Sequence, residues 1–313
     1  MDSVSLRKDK RLRKKMIGAL KRDFSGYLFL LPAVIIFATF AWYPIVNGFL
    51  LSFQDVDLIT YSNKDIPVKW VGFDNFLYIF SDPTLPQAWL NTLYFVGLGL
   101  ILGYLVPVFI AMAINEMRHG QSFFRLAFYL PVILPPMISI LLWKYFFDPG
   151  SGLMNVVVGI FGLGPYQWIY SKSTAMLSLV ILSTWANAGG TMLIYLAAMQ
   201  GIPTSLYEAA EIEGAKVRHR IWHITLPEIR GVMLIMLVLQ IIGTMQVFTE
   251  PFVMTDGGPQ GATTTVMLLL YRYAFQGGEF GPASALGLNL FIILAIFSLI
   301  YFRLTRRFQG GSR

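Results

Sequence analysis

Apolar residues run through this chain in long blocks, broken by short charged or Gly/Pro-rich segments. A bilayer core about 30 Å thick needs about 20 apolar residues of helix to cross it. Six blocks reach or approach that length, at 26–52, 90–114, 124–147, 174–199, 229–250 and 283–303. The pattern predicts an all-α polytopic membrane protein with six transmembrane helices. The third block contains YLPVILPPMISILLWKYFF, with Pro131, Pro135 and Pro136. Each proline removes a backbone donor, so this helix is expected to bend or break, with neighbouring helices covering the freed carbonyls. A further apolar stretch, 263–275, is too short to span. It either lies along the membrane surface or tucks between helices. Between the fourth and fifth blocks sits a charged island, EAAEIEGAKVRHRIWHITLP, at 208–227.

Charge placement supplies the orientation. Nineteen of the 24 Lys and Arg residues lie in the N-terminal stretch, at Arg118 and Arg125, in the segment around 200–230 or in the C-terminal tail. Only Lys64, Lys69, Lys144, Lys172 and Arg272 fall on the other side. Lys and Arg collect on the cytoplasmic side of a membrane. The bias therefore places both termini and the charged island inside. It also turns the net charge of +7 into a topology signal. Nothing in the basic N-terminus shows the aromatic interleaving of a nucleic-acid binder, so no nucleic-acid partner is expected. The chain is 13% charged, where soluble domains carry about 25%. It has no Cys, which excludes disulfides and thiolate metal sites. The first apolar run is longer than the ~7–15 residues of a signal-peptide core, and no small-x-small site follows it. We read it as an uncleaved first helix. The expected organisation is a basic cytoplasmic arm at 1–25 and one membrane domain at 26–313.

The island is expected to fold as a helix-turn-helix. Ser205 and Glu208 fit the S/T-x-x-E capping box, in which each side chain satisfies the other's backbone amide. Gly214 follows LYEAAEIE where helices often end in a left-handed residue. A second short helix, AKVRHRIWHI, comes next. Thr225 to Glu228 forms another capping pattern, with Pro227 in the first turn of the next membrane helix. Glu208, Glu211 and Glu213 precede Lys216, Arg218 and Arg220. That order complements the dipole of the second helix poorly. A docking surface accounts for it; a plain connector is the alternative.

The spacing Glu208-Ala209-Ala210, Gly214, Ile224, Leu226-Pro227 resembles, without a gap, the EAA loop of permease subunits of binding-protein-dependent ABC importers. WVGFDNF, PVILPPMISILLWKYFF followed by GLMN, and MTDGGPQGATTTVMLLLYRYAF are similar to stretches of the carbohydrate-uptake branch, the maltose and glycerol-phosphate type of sugar permease. The resemblance covers nearly all of the chain beyond the basic arm. It implies a cytoplasmic coupling loop, about 201–230, whose helix docks on an ATPase. Glu208 would be a polar anchor, in the capping box or across the interface. Ala209 and Ala210 would permit close packing, and Gly214 would supply the turn. No G-x-x-x-x-G-K-[ST] phosphate loop occurs here, so ATP hydrolysis is expected in a separate subunit. The spans show no convergent carboxylate, His or Ser constellation, so the chain is expected to be a transport subunit and not an enzyme. The resemblance implies two ATPase subunits that bind ATP and Mg, a second and different permease subunit, and an external solute-binding protein. It implies a bacterial or archaeal cytoplasmic (inner) membrane, with the spans in contact with lipid and no cofactor in this chain.

Charged residues are scarce inside the spans, Lys144 and Glu250 standing near their outer ends. Mid-membrane charges mark ion and proton relays, so their scarcity argues against an ion-gradient secondary transporter. Neutral amides do occur, Asn187, Gln240, Gln246 and Asn289, with Trp185 beside Asn187. Such groups either line a path for a hydroxyl-rich solute or bond helix to helix. The expected solute is a sugar, an oligosaccharide or a related polyol phosphate. The nearest rival is an ABC permease for amino acids or another small polar solute. His219 and His223 are four apart but lack an H-E-x-x-H pattern and a third ligand, so no metal is expected.

Overall fold

The computed structural model describes residues 27–309, except Lys64; the basic arm at 1–25 lies outside the described residues. Among the described residues five helices are long and apolar enough to cross a membrane, and a sharply bent pair reaches the same length and hydropathy when taken together, as a broken span or a re-entrant loop. In chain order we label α1 (Tyr27–Leu51), α2 (Leu85–Glu116), the pair α3 (Gln121–Ile133) and α4 (Pro136–Phe146), α5 (Ala175–Gln200), α6 (Thr204–Ile212), α7 (Val217–Met245), α8 (Val266–Tyr271) and α9 (Phe280–Gln309).

The proline-rich third block breaks as its composition dictates. Leu134 and Pro135 are extended, and α3 and α4 meet at 101°. Pro136 opens α4, where its missing donor is harmless. α2 and α5 form the centre of the bundle. One cluster of buried side chains joins the short helix Asp74–Ser81 and the start of α2 to α8 and α9, through Ile79, Ala88, Val266 and Leu286. A second joins α2, α4 and α5 through Phe95, Trp143, Phe147 and Leu179. A third, with Ile114, Met192, Tyr195 and Ile229, joins the ends of α2, α5 and α7 nearest α6. α1 buries none of its apolar window within the chain, as a lipid-facing helix would.

Gly189 sets the closest approach in this core. A Cβ there would lie 2.1 Å from the Phe128 carbonyl oxygen, so only glycine lets α5 run against α3.

The all-α expectation needs one small correction. After α1 the chain makes a two-residue antiparallel ribbon, Gln54–Asp55 against Lys69–Trp70. Asn75 of the WVGFDNF stretch holds this segment: its Nδ2 donates to the Ser52 and Gln54 carbonyls at 3.0 and 2.9 Å. The 263–275 stretch tucks between helices. Asn91 of α2 donates to the Gly261 and Thr264 carbonyls, and the Thr92 hydroxyl accepts from Val266 N at 3.0 Å. Thr265 caps α8 and is fully buried, as are Val266 and Leu268. Nearby, the Tyr273 hydroxyl donates to Asp82. Burial pushes the Asp82 carboxyl up, but this bond and the donors of Thr84 outweigh it and hold it below the usual carboxylate range.

Candidate functional site

α6 lies at one end of the bundle, between α5 and α7. Its capping differs from the sequence expectation. Pro203, at φ −57° and ψ 127°, stands before the first turn, and the helix begins at Thr204. Ser205 is therefore inside the helix and caps nothing. The proline presets the entry angle, so the Ser205–Glu208 box does not form. The other end follows expectation. Gly214 is left-handed at φ +79°. Gly214 N donates to Glu211 O at 3.0 Å and Ala215 N to Ala210 O at 2.9 Å. These are the two bonds of a Schellman ending.

The second correction concerns the helix that follows. Val217 begins a helix that runs unbroken into the membrane span, so no turn separates them. Residues Ile221–Thr225 form a π-helical turn, with Leu226 N donating to Ile221 O. Thr225 does not cap; its hydroxyl is 3.0 Å from the Tyr207 hydroxyl and ties α6 to α7. A proline ring clashes with the carbonyl four residues back in a regular helix, and a wide turn just before Pro227 relieves that clash.

The motif residues divide by environment. Ile224 and Leu226 are half-buried against the cluster that holds Ile114 and Ile229. Glu208, Ala209 and Pro227 are exposed, and Ala210 is half-buried. Among the described residues Glu208 has neither a hydrogen-bond nor an ion-pair partner. The segment also exposes apolar side chains beyond the reach of the bundle: Ile212 is 89% and Trp222 61% accessible. The sequence reading did not single these two out; an apolar residue inside a charged island is the signal that could have found them. Arg220 bridges the segment. It donates to Glu116, the last residue of α2, at 2.6 Å and to Glu211 of α6 at 2.7 Å. His223 Nδ1 lies 3.0 Å from the His219 carbonyl. No group of metal-ligating side chains occurs among the described residues.

Towards the opposite end of α7, a cavity of about 430 Å³ opens between α2, α5 and α7. Three of the expected amides line it, Asn187, Gln240 and Gln246. Gly99 and Gly103 of α2 make room for Gln240: a Cβ on Gly103 would lie 2.6 Å from its Nε2. Thr184, Thr244 and Glu250 also line the space and were not among the residues expected there. Trp185 turns away into a separate, largely apolar pocket of about 540 Å³, where it packs edge-on against Trp143 at 5.7 Å. Asn289 lies half-buried on α9, outside the cavity lining.

Comparison with known proteins gives this geometry a family. A family model described as "Binding-protein-dependent transport system inner membrane component" matches residues 96–310. The trehalose/maltose transport system permease protein MalF of Thermococcus litoralis is 31% identical over 283 residues, covering 90% of this chain and 93% of that protein. The sn-glycerol-3-phosphate transport system permease protein UgpA of Salmonella choleraesuis is also 31% identical, covering 88% of this chain and 92% of that one. A chain from the solved structure of a bacterial ABC transporter involved in import of the acidic polysaccharide alginate superposes with a TM-score of 0.79 at 26% identity, over 94% of this chain and 99% of that one. A chain from the solved structure of a bacterial alginate ABC transporter in complex with alginate pentasaccharide-bound periplasmic protein superposes equally well, with a TM-score of 0.79 at 26% identity over 93% of this chain and 97% of that one. The chain belongs to the binding-protein-dependent inner-membrane components of ABC transporters, as a membrane-embedded transport subunit and not an enzyme.

Proposed function

We propose that this chain is one permease half of an ATP-driven importer for a hydroxyl-rich solute, a sugar, oligosaccharide or related polyol phosphate. The observation that carries the reading is the pairing of α6 with the polar cavity. α6 presents Glu208 and Ala209 outward at one end of α7, and Asn187, Gln240 and Gln246 line a cavity towards the other. α6 docks on an ATPase subunit, with Glu208 as polar anchor and Ala209 and Ala210 allowing close approach. Gly214 fixes the turn, Ile224 and Leu226 seat the segment against the spans, and Pro227 sets the wide turn through which α7 runs into the membrane span. Two such ATPases bind ATP and Mg. A second, different permease completes the path, and an external binding protein delivers solute to it. Both termini and α6 face the cytoplasm. ATP-driven closure of the ATPases pushes α6, and the bundle switches between inward- and outward-open states.

Relatives support the solute class: their names cover trehalose/maltose, glycerol 3-phosphate and an acidic polysaccharide. The test is uptake in vesicles holding the four-subunit complex and its binding protein. ATP is expected to drive sugar uptake with the membrane potential collapsed by an uncoupler. Uptake that follows the ion gradient and ignores ATP would overturn the proposal. Glu208→Lys is expected to abolish co-purification of the ATPases while this chain stays in the membrane.

A further inference from the structure

The cavity between α2, α5 and α7 is lined by one ionisable side chain, Glu250. An adjoining cleft of about 230 Å³, beside the break between α3 and α4, is also lined by Glu250 and by no other ionisable group. Asn187 and Thr249 face both spaces as well. Glu250 thus stands where the two spaces meet, beyond the end of α7 farthest from α6. No Lys, Arg or His lines either space to balance it.

The amides that line the cavity with Glu250 are neutral and anchored to the backbone. Asn187 Nδ2 donates to Ser183 O at 2.8 Å, Gln246 Nε2 to Ile242 O at 3.0 Å and Gln240 Nε2 to Gly99 O at 3.4 Å. A backbone carbonyl can only accept, so each amide turns its nitrogen to the backbone with one N–H, which leaves its second N–H and its oxygen for a solute. The Thr244 hydroxyl likewise commits its proton to Gln240 O at 2.7 Å. What the wall offers a solute is a set of neutral amides and hydroxyls, those of Ser183, Thr184, Thr191 and Thr249 included, that both donate and accept, and one carboxylate.

We infer that Glu250, the one ionisable group where the two spaces meet, makes this cavity selective for a neutral, hydroxyl-rich solute and excludes phosphate esters and uronates. A polyol brings O–H donors to such a wall. A phosphate ester or uronate brings the same hydroxyls but adds a like charge, in a partly enclosed site where charges are weakly screened. This deepens the functional reading above, on which it rests, and removes the polyol phosphates from its solute class.

The probes are radiolabelled maltotriose and trigalacturonate, equal in ring number and opposite in charge state. Their binding to the assembled complex of two permeases and two ATPases in nanodiscs is measured by equilibrium dialysis at low salt, without the binding protein. The wild-type complex is expected to prefer maltotriose at least tenfold. Glu250→Gln should bring that preference to within about threefold, and Glu250→Asp should retain it. Both probes are measured on one preparation, so loss of folded protein cancels in the ratio. Equal or stronger binding of trigalacturonate to wild type, or a ratio that Glu250→Gln leaves unmoved, overturns the charge selection alone. Binding of neither probe overturns it together with the sugar reading.

Discussion

Gly214 has a backbone at φ +79° and open space around it: nothing lies within 4 Å of where a Cβ would stand. The position therefore requires a conformation, not a small volume. A left-handed residue other than glycine costs about 1–2 kcal/mol, least for Asn and most for β-branched side chains. ATP-driven uptake is expected to fall in the order Gly214, Gly214→Asn, Gly214→Ala, Gly214→Val, with Asn within about threefold of wild type and Val reduced tenfold or more. Equal losses for Asn and Val would show that the side chain and not the turn is at fault. Glycine after a capped amphipathic run announces such a turn in sequence, and here the turn is found. Ser205 shows the opposite case, because a capping box is a local pattern that Pro203 pre-empts by starting the helix two residues early. The amides were legible as rare polar groups in apolar spans. Which neighbour each would face was not, because that depends on helix rotation: Asn187, Gln240 and Gln246 converge, while Asn289 and Trp185 pack elsewhere.

At the scale of elements, Arg220 clamps three of them, joining α7 to the end of α2 and to α6 through Glu116 and Glu211. Glu116 is only 18% accessible and Glu211 61%, so the two contacts are unequal. Removing the arginine leaves a partly buried carboxylate unpaired, at a cost of about 1–2 kcal/mol after solvent screening, while the exposed pair is worth less than about 1. Arg220→Met is expected to raise the ATP hydrolysed per solute imported several-fold. Glu116→Gln should reproduce most of that effect and Glu211→Gln little of it; equal effects of the two would show that exposure does not grade the clamp. Contact between helices gives a second test. A Cβ on Gly189 meets the Phe128 carbonyl, which cannot move aside, whereas a Cβ on Gly103 meets the free end of the Gln240 side chain, which can. Gly189→Ala should destabilise the purified protein by about 1–3 kcal/mol, read as a lowered Tm in detergent, and Gly103→Ala should leave Tm within about 2 °C. The break at Leu134–Pro135 was legible because prolines act locally. Continuity of α7 through Pro227 was not, since it rests on a π turn that no residue pattern announces.

Orientation is a property of the whole molecule, carried by the placement of 19 of 24 Lys and Arg residues on alternate segments. Six crossings return the chain to the side on which it began, provided that α3 and α4 together count as one. Reading them instead as a re-entrant pair would leave five crossings and put α6 on the same face as the segment between α1 and α2. The charge bias would then be scrambled, with the basic segment at 216–230 outside and against the positive-inside rule. The chain has no cysteine, so single-cysteine labelling needs no prior removal of native thiols. Ser173, between α4 and α5, and Ser205, in α6, are both exposed. A membrane-impermeant maleimide should label Ser173→Cys only from outside intact spheroplasts and Ser205→Cys only in inverted vesicles. The reverse pattern, Ser173→Cys labelled only in inverted vesicles and Ser205→Cys only from outside, would make α3 and α4 re-entrant. It would also remove α6 from reach of an ATPase, because the two positions are separated by α5 alone, and a single crossing cannot leave both ends on one face.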